Sequence, residues 1–254
     1  MTLRIETLGR GADVVLLHGW GLHGGVFERV AAQLADNYCL HLVDLPGHGG
    51  SPAMAPFDGA RVAAQLAERF PLPAHVLGWS LGGLIAQYWA INYPEQVRSL
   101  ALVATSPCFV KKPDWPYAQP AEAIEAVGAS LDGAFELTLE RFLALQMLGS
   151  STARATLKGL REQLFSHGRP QGLLPALDLL LSADLRADVA CLRCPVGLFF
   201  GERDVITPLG AGRWFAEHVP HATLYAFAQA SHAPFLSHED AFVAQLAHHL
   251  DQNA

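Results

Sequence analysis

Short, nearly uninterrupted apolar runs recur along this chain at 14–17, 40–43, 74–77, 100–103, 196–200 and 222–227. A strand with one wet face alternates apolar and polar residues, so unbroken runs of this length predict strands covered on both faces. Helical periodicity fills the intervals at 26–34, 59–69 and 84–91. Strand and helix in alternation predict a mostly parallel central sheet flanked by helices, an α/β fold. The alternation stops between about 109 and 186, where helical patterns follow one another at 121–131, 135–148, 152–166 and 172–181 with no strand pattern between them. The division predicted is a core of residues 1–108 and 187–254, with an all-helical lid of residues 109–186 inserted over the sheet edge. A lid of this kind supplies apolar pocket walls and excludes water.

Composition narrows the class. The chain has 254 residues, 51% hydrophobic and 16% charged, with a net charge of −7. That suits one well-buried globule and gives no reason to expect nucleic acid or an anionic membrane as a partner. No apolar run reaches the length of a membrane span, and the first residues lack the basic-then-apolar pattern of a signal peptide. A cytoplasmic monomer is expected, with Cys39, Cys108, Cys191 and Cys194 reduced. Cys191 and Cys194 have C-x-x-C spacing, but Pro195 and a strand pattern follow instead of a helix start, so they read as incidental thiols.

The strongest chemical signal is Gly78-Trp79-Ser80-Leu81-Gly82, a G-x-S-x-G run between a strand pattern and a helix pattern. A tight strand-to-helix turn forces a serine hydroxyl into the open and turns a helix N-terminus, with the Leu81 N–H, toward whatever it attacks. Serine also needs a base, and the base needs a group to fix its tautomer. His232 follows the run at 222–227, and Asp204 follows the run at 196–200, so both fall where parallel sheets hold their sites. Glu202 competes with Asp204 for the acid role, and the loop pattern favours Asp204. His18 and His48 read as loop-stabilising, Asp44 as structural, and His248-His249 as a solvated helix face. The second oxyanion donor expected is the Trp20 N–H, after the first apolar run. The Trp20 and Trp79 rings either flank the pocket or sit in the core.

With these residues in place, the chain resembles the α/β-hydrolase superfamily over nearly its whole length. The segments that carry the resemblance are Leu16 to Gly21, Asp44 to Gly49, the Ser80 turn, the Asp204 loop and the His232 loop. More narrowly it is similar to the BioH carboxylesterases of biotin synthesis, through the His18-Gly19-Trp20-Gly21 and Gly78-to-Gly83 strings, Lys111 to Pro116, and Arg141 to Gln146. That resemblance implies hydrolysis of the methyl ester of pimeloyl-[acyl-carrier protein] by Ser80, His232 and Asp204. It implies an acyl pocket lined by Phe142, Leu143, Ala144, Leu145 and Gln146 along with Trp20, Ser80, Leu81 and His232. It also implies that basic lid residues hold the acyl-carrier protein.

The chain supports the last point on its own terms. From Arg141 to Arg169 there are five basic residues (Arg141, Arg154, Lys158, Arg161, Arg169) against one acid, Glu162. Arg154, Lys158 and Arg161 share one helix face, and such a face would steer an acidic carrier. Leu137 is apolar where relatives can carry another basic residue. The chemistry calls for no metal or organic cofactor. The alternative readings are a general carboxylesterase or lactonase acting on small free esters, and a non-hydrolytic ligand receptor on the same fold.

Overall fold

The computed structural model describes residues 2–146, 161 and 167–254. The strands are β1 (Ile5–Gly9), β2 (Ala12–Leu17), β3 (Tyr38–Val43), β4 (Ala74–Trp79), β5 (Val97–Val103), β6 (Val196–Gly201) and β7 (Ala222–Phe227). They form one seven-stranded sheet in the order β1-β3-β2-β4-β5-β6-β7. Every neighbouring pair is parallel except β1 with β3, which is antiparallel. All six apolar runs became strands. β1 went unpredicted, because Ile5–Gly9 is an edge strand with no fully buried position and so lacks the apolar signature.

The described helices are α1 (Glu28–Leu34), α2 (Gly59–Arg69), α3 (Leu81–Asn92), α4 (Ala121–Ser130), α5 (Phe135–Gln146), α6 (Leu173–Ser182), α7 (Leu209–His218), α8 (Pro234–Ser237) and α9 (Glu239–Asp251). Every residue of β4 and β6 is buried, which requires cover on both faces of the sheet. α3 packs against β2, β4 and β5, with α2 outside it, and α7 packs on β6 and β7. α2 shows how the sequence fixes this arrangement: Asp58 caps it by accepting from the Arg61 N–H, and Val62, Ala63, Leu66 and Ala67 form its one buried stripe.

The chain leaves β2 for β3 on one side and returns to β4 on the other. That reversal opens a crevice at the carboxyl ends of β2 and β4, where parallel sheets bind ligands. Between β5 and β6 the described residues hold α4, α5 and α6 and only isolated bridges in place of strands. The segment is pinched at its base, where Cys108 bridges Asp184 and the Leu185 N–H donates to the Pro107 carbonyl at 2.9 Å. Lys112 and Arg186 both bond Asp184, at 2.6 and 2.7 Å, and hold its carboxyl well below the usual range. The helix predicted at 152–166 lies outside the described residues apart from Arg161.

One expectation is corrected. His249 is buried beneath the sheet while its neighbour His248 is exposed, because adjacent helix positions point about 100° apart and only one of them can face solvent here. Of the two readings of Trp79, the core one holds: it is fully buried, its ring 5.7 Å from the His232 ring and 5.0 Å from Phe235.

Candidate active site

Ser80 sits between β4 and α3 with φ 54° and ψ −115°. A positive φ strains any residue with a Cβ, typically by about 1–3 kcal/mol, and persists only where the surroundings over-determine it. Here the Ser80 N–H donates to the Val103 carbonyl at 3.0 Å, while its own carbonyl accepts from Gly83, Leu84 and the Thr105 hydroxyl at 3.0, 3.1 and 2.7 Å. The motif glycines let the turn close. A Cβ on Gly78 would stand 2.4 Å from the Gly82 carbonyl oxygen, and one on Gly82 would stand 2.1 Å from the Leu17 oxygen. Leu81 opens α3, so its N–H belongs to the first turn, which has no intrahelical acceptors.

Asp204 and His232 arrive from the ends of β6 and β7. His232 Nδ1 lies 2.8 Å from Asp204 Oδ2, and both side chains are at most 1% exposed. The carboxylate is held by neutral donors and the imidazole: Oδ1 accepts from the Ile206 and Thr207 N–H groups at 2.8 and 3.0 Å, and Oδ2 from the Thr207 hydroxyl at 2.7 Å. These bonds replace the hydration that a buried carboxylate forfeits. Glu202, the competing acid, is exposed.

The His232 backbone is pinned on both sides. Its N–H donates to the Gln146 carbonyl at 3.0 Å, and its carbonyl accepts from Trp79 Nε1 at 2.8 Å. With Nδ1–H given to Asp204, the ring keeps Nε2 as its acceptor. Nε2 is buried and has no hydrogen-bond partner among the described residues. Trp79 is the residue before Ser80, so its indole bond ties the serine's strand to the histidine's loop. Nucleophile–base hydrogen bonds are often loose in unliganded enzymes and tighten around substrate.

Ser80 opens into a largely apolar cavity lined also by Trp20, Phe142 and Leu145, by Ile124 and Val127 of α4, by Leu177 and Leu180 of α6, and by Phe109, Gln119, Ala123 and Ile206. Trp20 is fixed there by its Nε1–H bond to the Leu173 carbonyl at 2.8 Å and by edge contact with Phe142, centroids 4.9 Å apart. Of the residues named for the pocket, Trp20, Ser80, Phe142 and Leu145 line it. Leu143 faces the core, Ala144 is exposed, Gln146 contributes its carbonyl to His232, and Leu81 is fully buried. The α4 and α6 walls were missed. One signal was available: α4 carries apolar Ala123, Ile124 and Val127 on one side yet buries no residue fully, as expected of a face turned to a cavity.

Neighbouring histidines hold loops. His18 Nδ1 donates to the Gly19 carbonyl at 2.7 Å and Nε2 accepts from the Leu45 N–H at 2.9 Å, and burial beside His48 lowers its pKa to about 3. Asp44 accepts from the Gly24 and Gly50 N–H groups, both at 2.8 Å. In the basic region, Arg154 and Lys158 lie outside the described residues. Arg161 pairs with Glu140 at 2.6 Å and Arg169 with Asp132 at 3.2 Å. The charge of this face is therefore smaller than a count begun at Arg141 suggests, because the two neutralising acids precede it in sequence. Arg141 is exposed and makes no ion pair among the described residues.

A sequence profile of the alpha/beta hydrolase family matches residues 14–245, and the chain belongs to that family. It is similar to a protein named pimeloyl-[acyl-carrier protein] methyl ester esterase from Chromobacterium violaceum, 67% identical over the whole of both chains. A protein of the same name from Nitrosomonas europaea is 40% identical over 96% of this chain and 97% of its own. Among solved structures, an esterase from Exiguobacterium antarcticum superposes with a TM-score of 0.91 at 22% identity, covering 98% of this chain and 95% of its own, which speaks to the fold.

Proposed function

We propose that this protein is a serine carboxylesterase that hydrolyses the methyl ester of pimeloyl-[acyl-carrier protein], releasing methanol and the free carboxyl end. The observation that carries the reading is the 67% identity, over its full length, to a relative named for that activity. The Ser80, His232 and Asp204 arrangement supports the chemistry.

His232 Nε2 takes the Ser80 proton as the hydroxyl oxygen attacks the ester carbonyl. The Leu81 and Trp20 N–H groups hold the negative oxygen of the tetrahedral intermediate. Asp204 keeps Nδ1 protonated and stabilises the imidazolium, which then protonates the departing methanol. Water, activated by the same Nε2, attacks the acyl-enzyme and frees the acid. No cofactor enters these steps.

In this reading residues 109–186 form a lid on the core of residues 1–108 and 187–254, and its apolar walls take the acyl chain. Arg141, Arg154, Lys158 and Arg161 face the acidic carrier, and the enzyme works as a cytoplasmic monomer. Among the described residues no helix is long and apolar enough to cross a membrane.

The test is incubation with pimeloyl-[acyl-carrier protein] methyl ester, followed by mass spectrometry of the carrier. Loss of the methyl group with the native chain, and none with Ser80→Ala, is expected. Demethylation by Ser80→Ala would overturn the mechanism, and turnover of small free esters without the carrier-linked one would overturn the substrate.

A further inference from the structure

Away from Ser80, β2 and β3 bring together three side chains that the proposed hydrolysis does not use. Asp13, near the start of β2, lies opposite Cys39 of β3. His41 comes two residues after Cys39 and so shares its face of the sheet. Oxygen, sulfur and ring nitrogen from these three residues all lie within 4.8 Å of one another. His41 Nε2 stands 2.7 Å from Asp13 Oδ1, and on its other side Nδ1 stands 3.0 Å from the Thr7 hydroxyl of β1. The cluster is open on one side: the Asp13 side chain is 45% exposed, whereas that of His41 is 11% exposed.

We propose that Asp13, Cys39 and His41 form a zinc-binding site, completed by water. A thiolate, an imidazole and a carboxylate are the donors that tetrahedral zinc takes. With bonds of about 2.0–2.3 Å to the metal, neighbouring ligand atoms of such a site stand roughly 3.3–3.6 Å apart. The strands already gather the three donors within 4.8 Å of one another, so side-chain adjustments on the order of an ångström reach that spacing. The 2.7 Å contact of Asp13 with His41 has to widen, and Asp13 is the exposed, movable member. With a metal on Nε2, the Nδ1–H would donate to the Thr7 hydroxyl oxygen, 3.0 Å away, and fix the ring, as outer-shell partners of metal-bound histidines do. Binding displaces the Cys39 thiol proton, and the proton that Nε2 gives up on taking the metal leaves the ring's other nitrogen, Nδ1, as its donor. Asp13 lies five residues before His18, on the order of 15 Å along the strand direction, so the ion fastens the β1–β3–β2 edge and takes no part at Ser80.

Cobalt(II) titrated into the full chain tests this, because a thiolate ligand gives a sulfur-to-cobalt charge-transfer band. The band should saturate at one equivalent, bleach on adding zinc, vanish in Cys39→Ser and weaken at least tenfold in Asp13→Asn, a substitution at an exposed side chain. Zinc at a hundredfold excess over its Kd should raise the Tm of the native chain by roughly 5 °C, with p-nitrophenyl ester turnover of both variants unchanged. Absence of a band, or one that survives either substitution unaltered, overturns the site.

Discussion

Thr207 donates its hydroxyl proton to Asp204 Oδ2 at 2.7 Å, the same oxygen that lies 2.8 Å from His232 Nδ1. The hydroxyl oxygen is itself 3.3 Å from that nitrogen, so Thr207 fixes where the carboxylate points while sitting against the ring it orients. Removing the hydroxyl leaves the donors on Oδ1 intact but frees Oδ2 to turn. Hydrogen bonds to charged groups are worth about 1.5–3 kcal/mol, and part of that is realised as the imidazolium forms. Thr207→Val is therefore expected to lower kcat by about tenfold, close to 1.4 kcal/mol, with KM for a small ester nearly unchanged. Thr207→Ser should restore the rate. Steady-state kinetics of the pair decides it, and equal losses in both variants would argue against a hydroxyl role.

The strain at Ser80 sets stability against activity. Glycine accepts φ 54° without the Cβ penalty. Ser80→Gly should raise Tm by a few degrees while abolishing ester turnover, whereas Ser80→Ala should abolish turnover with little change in Tm. Calorimetry of the two variants compares them, and a Ser80→Gly protein no more stable than Ser80→Ala would contradict the strain.

Acid should destabilise the fold through four buried histidines. Burial lowers the pKa of His18 to about 3 and those of His48, His75 and His249 to about 4. The unfolded chain binds these protons near pH 6.5. Between that pH and about 4 the unfolded state holds more protons, so stability is fully present above 6.5 and is lost as pH falls. Each histidine contributes a slope of up to about 1.4 kcal/mol per pH unit. Urea midpoints should be level above pH 7 and drop steeply between pH 6 and 5. His249→Gln, which removes one of the four, should make the drop shallower.

Arg141 offers a way to separate carrier from chemistry. It lies beside Val127, Phe142 and Leu145, which also line the Ser80 cavity, yet its side chain is exposed. Arg141→Glu should raise KM for the carrier-linked ester several-fold and flatten its salt dependence, leaving a free p-nitrophenyl ester unaffected. Parallel loss on both substrates would assign Arg141 to the pocket.

Much of this arrangement was legible in the residues. Buried parallel strands announce themselves as apolar runs, and the Ser80 turn is dictated by glycines that a Cβ would drive into backbone 2.1–2.4 Å away. Asp204 and His232 were legible because they follow such runs. What stayed hidden depends on distant convergence. Phe109, Gln119, Leu177 and Ile206 share a cavity only after four separate segments meet. Glu140 and Asp132 cancel charge on Arg161 and Arg169 from 21 and 37 positions away in sequence, and Thr207 reads as an ordinary loop residue until its hydroxyl is placed.

The Gln146 carbonyl, at the end of the helix that carries Phe142 and Leu145, is the acceptor for the His232 N–H. Because that link joins main chain to main chain, no exchange of side chain at 146 deletes it, and at 232 only proline would. Under the proposed mechanism, anyone who reshapes the cavity by redesigning this helix is also moving the seat of His232, so altered selectivity and altered turnover should be inherited together.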